Sequence, residues 1–244
     1  MSANRTPTHN AVKIDQPLLE ATLVRRYKRF LTDVTLPDGS ELTAHCPNTG
    51  SLLGCKEPGS TVWLRDTEND KRKYRHSWQA IDVGGTWVNV DTGLPNAETF
   101  EAIVEGRIPA LQGYDKQKRE VKYGTGSRID VLLERENGER CYVEVKNTTL
   151  ARGDVALFPD AVTARGLKHL EELIKVVAEG HRAVQFFFVS RDDVKSFAPA
   201  DDIDPAYCDG LRRAAKAGVE VMAWAATVRK DSIELTHELD VDLS

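Results

Sequence analysis

The sequence lacks any long apolar run. Its 244 residues are 41% hydrophobic, but the apolar stretches are short and interrupted by charges. A membrane-spanning helix needs about 20 consecutive apolar residues, so none is predicted. The first ten residues, MSANRTPTHN, lack the apolar segment of a signal peptide, so none is predicted there either. These absences predict a cytoplasmic protein with no membrane partner.

Cysteine is scarce and scattered. The four residues of this type are Cys46, Cys55, Cys141 and Cys208, and they lack the short paired spacing of a zinc site. We expect four unligated thiols in a reducing compartment.

The sequence also has no excess of positive charge. Lysine and arginine number 33 against 38 aspartates and glutamates, for a net charge of −5. The average field of the protein therefore does not attract nucleic acid. A nucleic-acid partner would have to be held by local basic clusters.

What is present divides the chain into segments of different pattern. We expect residues 1–17 to form a flexible tail, residues 18–94 a β-barrel domain and residues 95–244 an α/β domain. The middle segment reads as strands separated by polar turns, namely LVRRYKRFLTDVTL, ELTAHC, STVWLRD, KYRHSWQAIDV and TWVNVDT. Five short strands suit a small closed barrel, and the OB-fold is the common five-stranded one.

The last segment combines helix and strand patterns. A short helix is predicted over residues 97–105, and a longer one is predicted to open at Phe158-Pro159-Asp160, with Val162 and Leu170 on its apolar side. AVQFFFVS is typical of a buried parallel strand, PAYCDGLRRAAKAG of a helix and VEVMAWAATV of a final strand. The predicted order is helix, three strands, helix, strand, helix, strand around a mixed sheet. The predicted fold class is therefore α/β (α+β), with an OB-like five-stranded β-barrel before a mixed-sheet domain.

The stretch GSRIDVLLERENGERCYVEVKN, residues 126–147, places charges inside two apolar strands. Charges in a sheet are costly unless they are paired or bind a metal. A two-residue Asn137-Gly138 turn would point Asp130 away from Glu144. A three-residue loop over 136–138, with Gly138 left-handed, would make the two carboxylates direct neighbours. The turn residues alone leave both registers open.

In the second register Asp130, Glu144 and Lys146 share one face of the hairpin. Two carboxylates about 5 Å apart repel by roughly 3–4 kcal/mol at an effective dielectric near 20, and a divalent cation reverses this repulsion. Mg²⁺ prefers oxygen ligands and keeps several waters, so two carboxylates suit it. The alternative is that Glu144 and Lys146 form only a solvent-facing ion pair on a strand.

Basic residues cluster around aromatic ones at two places in the predicted barrel. Such clusters suit a groove that tracks a nucleic-acid backbone and stacks bases, although charge runs are also common on solvated faces. The clusters are Arg25, Arg26, Lys28 and Arg29 around Tyr27 and Phe30, and Lys71, Arg72, Lys73 and Arg75 around Tyr74.

At the hairpin the sequence resembles the core of the PD-(D/E)xK nucleases. Asp130 is followed by thirteen residues and then Glu144-Val145-Lys146, and Ile129 stands where the eponymous proline would be. Over nearly its whole length the chain resembles the sugar fermentation stimulation protein A family. The matching stretches are LVRRYKRFLTDV, AHCPNTGSLLGC, REVKYGTGSRID, YVEVKNTTL and FPDAVTARGLKHLEEL.

This resemblance implies an OB-like domain joined to a nuclease-like domain. It also implies sequence-independent binding of DNA through its backbone and a link to the regulation of sugar (maltose) metabolism. Asp130 and Glu144 would be ligands of Mg²⁺ or Mn²⁺, and Lys146 the catalytic lysine. Glu120 would be an additional acid or, equally, an edge-strand charge.

The helix that follows the hairpin carries a further cationic group. Arg165, Lys168 and His169 lie near its start and are expected to meet phosphate, although a solvated helix face is an even alternative.

Three alternative functions follow from these features. The first is a DNA-binding protein with a Mg²⁺-dependent phosphodiesterase site. Its alternative is a non-catalytic DNA-binding transcriptional regulator that uses the nuclease fold only for docking. A module in which these charges are purely structural is a third, weaker alternative. The sequence leaves strand preference and oligomeric state open, a homodimer being one alternative.

Overall fold

Strands dominate the computed structural model, which describes residues 11–14, 17–124 and 126–244. In chain order the strands are β1 (Val12–Lys13), β2 (Leu18–Tyr27), β3 (Leu31–Thr35), β4 (Glu41–His45), β5 (Thr61–Asp66), β6 (His76–Val83), β7 (Thr86–Asn89), β8 (Lys116–Tyr123), β9 (Ser127–Glu134), β10 (Arg140–Thr148), β11 (Leu150–Arg152), β12 (Val155–Phe158), β13 (Arg182–Val189), β14 (Ser196–Pro199), β15 (Glu220–Val228), β16 (Ser232–Glu238) and β17 (Asp240–Val241). The helices are α1 (Gly93–Val104), α2 (Ala164–Ala178) and α3 (Pro205–Lys216), with a 3₁₀ turn at Pro109–Leu111.

The first sheet closes on itself as a barrel. Its strand order is β4-β3-β2-β5-β6-β7, and a parallel pairing of His45 on β4 with Ser77 on β6 completes a ring of five strands, β2 to β6. The expected OB-like barrel is thereby confirmed, but its strands are not all the expected ones. LVRRYKRFLTDVTL is two strands, because Lys28 (φ 49°) and Arg29 (φ 67°) adopt left-handed conformations and turn the chain back. The strand predicted last, TWVNVDT, lies outside the ring as β7.

The second sheet is mixed and forms the centre of the other domain. Its order is β1-β16-β15-β13-β10-β9-β8, in which β10, β13 and β15 run parallel and the remaining neighbours run antiparallel. One face packs against α2 and α3 around Leu170, Phe187 and Tyr207. The other face packs against α1 and the barrel. The expected mixed sheet with helices on its faces is confirmed.

An apolar core joins the barrel to this second sheet. Trp63 and Ala80 of the barrel are buried in the same cluster as Ile103 of α1 and Phe186 of β13. Trp63 also stacks on Trp87, with ring centroids 3.4 Å apart. The two domains therefore share one packed interface, which fixes the geometry of the cleft between them.

The structure differs from the expected tail at Val12 and Lys13. These residues pair with Ile233 and Ser232 on β16, and the Val12 amide donates to buried Glu98 at 3.1 Å. The rest of the tail prediction falls mainly on residues 1–10, 15 and 16, which lie outside the described residues. The boundaries at 18–94 and 95–244 stay predictions.

Several element boundaries also differ from expectation. The long helix begins at Ala164 and not at Pro159, because residues 159–163 continue irregularly after β12 and Thr163 caps the helix. Val162 is consequently 77% exposed and not part of the core. The short helix begins earlier than predicted, at Gly93. None of the helices in the described part is both long and apolar enough to cross a membrane.

Strands that the pattern did not predict form a small third sheet and extend the second one. The third sheet has the order β11-β12-β14-β17, and β16 follows the strand expected to be the last. Gly153, left-handed at φ 59°, turns β11 into β12. All four cysteines are buried and free.

Candidate active site

The register of the β9–β10 hairpin decides whether its charges meet. Arg135 donates its amide to the Glu139 carbonyl at 2.9 Å, and Gly138 is left-handed at φ 89°. The loop therefore spans residues 136–138, and Val131 pairs with Val143. Continuing that register places Asp130 opposite Glu144. The three-residue loop, one of the two alternatives, is the one observed.

Three carboxylates lie in one row across the sheet. On β8, Arg119 and Val121 pair with Val131 and Ile129, which places Glu120 opposite Asp130. Glu120 itself is left-handed at φ 55°, a conformation that costs a non-glycine residue about 1–3 kcal/mol. The backbone is thus distorted at Glu120, which is the exposed carboxylate of the three.

Asp130 is held by two donors. Its Oδ1 accepts from Asn96 Nδ2 at 2.7 Å and its Oδ2 from the Val145 amide at 2.7 Å. Burial, together with the charge of Glu144, raises the pKa of Asp130 to about 7. Near neutral pH this carboxyl therefore exchanges a proton readily.

Glu144 is buried and ionised. Burial alone would raise its pKa, but the hydrogen bond from His169 and the charge of Lys146 hold the pKa below its ordinary value. The ammonium of Lys146 donates to Glu144 Oε1 at 2.6 Å. The other oxygen, Oε2, is buried and has no hydrogen-bond partner among the described residues. Buried carboxylate oxygens normally accept a hydrogen bond or bind a cation, so Oε2 is available to do either.

His169 does not face solvent as expected for a nucleic-acid contact. It is only 5% exposed, and its Nδ1 makes a short hydrogen bond to Glu144 Oε1. Arg165 Nε approaches His169 Nε2 at 3.4 Å, so the network favours the tautomer with the proton on Nδ1. The sheet-facing side of α2 carries this residue, which nevertheless lines the cleft, so its contact with nucleic acid stays a prediction. Arg165 and Lys168 are exposed beside it, at the cleft.

These groups line a cleft of about 750 Å³ between the barrel and the mixed sheet. Its walls carry four cations and four carboxylates. They are Arg128, Lys146, Arg165 and Lys168, and Glu120, Asp130, Glu144 and Asp160. Without a metal ion their formal charges cancel, and a divalent cation would leave the cleft positive. All four residues predicted to be catalytic, Glu120 included, are brought together here.

Several lining residues were not predicted, chiefly Asn48, Thr92, Asn96, Arg128 and Asp160. Asn96 was missed because its partner, Asp130, is 34 residues away in sequence. Asp160 was interpreted as a helix start signal, whereas its side chain accepts from the Leu52 amide at 2.8 Å.

In the first basic cluster, residues 25–29, some cations hold the backbone of the cleft wall or form ion pairs, and others are exposed. The guanidinium of Arg26 donates to the carbonyls of Arg29, Asn48 and Gly50 at 2.6–2.8 Å. Arg25 pairs with Asp33 at 2.8 Å. Arg26 therefore has a structural role that the charge pattern did not predict. Lys28 and Arg29 are exposed at the β2–β3 turn.

The second cluster lies in the loop between β5 and β6. Lys71, Arg72 and Lys73 are exposed there, and the Lys73 ammonium lies 5.5 Å from the centre of the Tyr74 ring. Arg75 is engaged by Asp66 at 2.7 Å.

The acid pair fits a divalent cation by its chemistry. Oxygen donors from Asp130 and Glu144 suit Mg²⁺, which takes one or two carboxylates and completes its coordination with water. The unpartnered Oε2 of Glu144 supplies the acceptor that such an ion needs. Within the described residues no cluster of three or more His, Cys, Asp or Glu side chains forms a fuller metal cage.

Both domains match known protein families. Residues 24–90 match the SfsA N-terminal OB domain, and residues 93–232 match the sugar fermentation stimulation protein RE domain. The sugar fermentation stimulation protein homolog of Thioalkalivibrio sulfidiphilus is 56% identical over 236 residues, covering 96% of this chain and 99% of that protein. The chain belongs to the sugar fermentation stimulation protein family.

Other members of the family agree along their whole length. The homolog of Citrifermentans bemidjiense is 53% identical over 230 residues, covering 94% of this chain and 99% of the relative. The structure of Pyrococcus furiosus SfsA in complex with Ca²⁺ superimposes with a TM-score of 0.86 at 29% identity, covering 96% of this chain and 100% of that one. The two-domain arrangement is therefore shared with a solved member of the family.

Proposed function

We propose that this protein is a divalent-cation-dependent phosphodiesterase that acts on DNA, with its site at Asp130, Glu144 and Lys146. The observation that carries the proposal is the buried, unpartnered Oε2 of ionised Glu144 opposite Asp130. Acids in a nucleic-acid site weaken binding of a polyanion unless a cation neutralises them. Their position in the cleft therefore favours a catalytic site over a docking surface.

Asp130 and Glu144 would hold Mg²⁺ or Mn²⁺. When bound, the ion would supply Lewis-acid stabilisation of charge on the phosphate and would acidify a nearby water. The relative from Pyrococcus furiosus, whose structure is described as a complex with Ca²⁺, supports cation binding in this family.

Side chains around the acids have separate tasks. Lys146 holds its ammonium 2.6 Å from Glu144 Oε1, where it can steady negative charge on a phosphate oxygen or move a proton. His169 orients the Glu144 carboxylate through its hydrogen bond to Oε1. Arg165 and Lys168 line the cleft and would bind the phosphates on either side of the scissile bond. Glu120 lies at the open end of the acid row and is available as an additional acid.

A cleavage assay tests the proposal. Labelled DNA is incubated with the protein and Mg²⁺ or Mn²⁺, and we expect strand scission that EDTA stops. Asp130→Asn removes one cation ligand and should lower the rate about 100-fold or more. Lys146→Gln should lower the rate as well while leaving cation binding intact.

The control variant is Asp209→Asn, which changes an exposed aspartate on α3 that does not line the cleft. It should cleave at the wild-type rate. Binding of DNA without scission, unaffected by Asp130→Asn, would contradict the proposal and favour the non-catalytic regulator.

A further inference from the structure

We infer that the site takes a single strand of nucleic acid, which reaches the cleft over one end of the barrel. This inference rests on the proposed function and specifies its substrate class. The end in question is formed by the β2–β3 turn, residues 28–30, and the β5–β6 loop, residues 67–75; we call it the basic end.

The two basic loops lie together although residues 31–66 separate them in sequence. His45, the last residue of β4, pairs with Leu31, directly after the β2–β3 turn, and with Ser77, the second residue after the β5–β6 loop. Both cationic loops therefore border one point of the barrel rim.

The basic end is joined to the cleft by residues 48–51. Residues 48–51 follow β4, and Arg26 and Arg29 of the β2–β3 region bind their backbone carbonyls. Asn48 and Gly50 of this segment line the cleft. Contacts thus connect the β2–β3 turn with residues 48–51, which border the cleft that holds the acid pair.

Each basic loop carries an aromatic ring at the surface. Phe30 is 46% exposed, one of the few large apolar side chains so exposed in the described part of the chain. Tyr74 is partly exposed beneath Lys73. Exposed rings between cations are stacking platforms for the bases of a single strand. In a duplex the base faces are covered by neighbouring base pairs and cannot stack on such rings. OB-folds use the corresponding loops for oligonucleotides.

The test compares matched single and double strands. Anisotropy of a labelled oligonucleotide of about 15 nucleotides is measured in Ca²⁺, as single-stranded DNA, single-stranded RNA and a DNA hairpin duplex, and cleavage of each is measured in Mg²⁺. We expect either single strand to bind about tenfold or more tightly than the duplex and to be cut preferentially. Phe30→Ala should weaken single-strand binding about five- to tenfold. Val104→Ala, an equally exposed apolar side chain on α1, should have no effect.

Charge variants provide a second comparison. Lys71→Gln/Lys73→Gln should weaken single-strand binding, whereas Lys195→Gln/Lys216→Gln, with the same net charge, should not. Equal binding and cleavage of the duplex, or an unchanged affinity in Phe30→Ala, would overturn the inference while the phosphodiesterase proposal stands. Single-strand preference with the expected variant effects but no cleavage in any metal would support the strand path and reject the phosphodiesterase.

Discussion

At the residue scale, Asp130 combines two properties that conflict in the metal-free protein. It accepts two good hydrogen bonds, yet burial and Glu144 raise its pKa to about 7. An acid whose pKa is raised by folding binds its proton more tightly in the folded state. Its ionisation therefore removes stability as the pH rises from its unfolded pKa towards 7. This cost is typical of a site arranged for a ligand and not for stability.

Asp130→Asn should reveal that cost directly. In EDTA, between about pH 5 and pH 8, the free energy of unfolding of the wild type should fall relative to the variant by about 1–3 kcal/mol. The asparagine cannot ionise, so the variant escapes the penalty. Urea denaturation across this pH range measures the difference.

Saturating Mg²⁺ at the upper pH should restore the wild type and leave Asp130→Asn unchanged, because only the wild type has the full acid pair. Parallel pH profiles for the two proteins would show that Asp130 titrates normally and that its ionisation costs the fold nothing.

At the scale of elements, residues 48–52 form a wall between the two domains. Arg26 and Arg29 bind this segment from the barrel, and Asp160 binds it from the other side through Leu52 and Ser51. The segment has no regular structure of its own, so its shape depends on these side chains.

Arg26→Ala should loosen this wall. Several carbonyls lose their donor, and we expect a destabilisation of about 1–3 kcal/mol with faster amide hydrogen exchange over residues 48–52. Arg25→Ala is the matched control. Arg25 is exposed and pairs with Asp33 at the surface, so its loss should destabilise the protein much less than the loss of Arg26. Similar losses in both variants, with unchanged exchange at the wall, would refute a structural role for Arg26.

The sequence predicted those elements that local chemistry determines. The opposition of Asp130 and Glu144 depended on one turn, and Gly138 was available to take its left-handed position. The apolar run of β13 likewise identified a buried strand. The start of α2 was misplaced because proline and aspartate are generic helix start signals, and here tertiary contacts used Asp160 instead.

Other parts of the site depend on distant contacts and could not be predicted. Spacing places Arg165 and His169 on one side of α2 but does not say which residue meets the sheet. The role of Arg26 requires acceptors more than 20 residues away. Asn96 meets Asp130 only once α1 packs on the sheet. Charge patterns identified the right regions, while burial decided the role of each side chain.

At the scale of the whole molecule, the proposed function requires a protein with a net charge of −5 to attract a polyanionic substrate. The shared core at Trp63 and Phe186 fixes the barrel against the sheet, so that Asn48 and Gly50, beside the basic end, border the same cleft as the acid pair. Attraction is therefore local, and it depends on a cation that offsets the acids. The proposed function thus requires above all that Asp130 and Glu144 bind that cation.

Calorimetric titration of Mg²⁺ into the metal-free protein at about pH 8, where Asp130 is ionised, tests this requirement most directly. We predict saturable binding to the wild type and to Asp209→Asn, and binding weakened at least about tenfold in Glu144→Gln. Equal binding by the wild type and Glu144→Gln, or no binding by the wild type, would contradict a cation site at the acid pair.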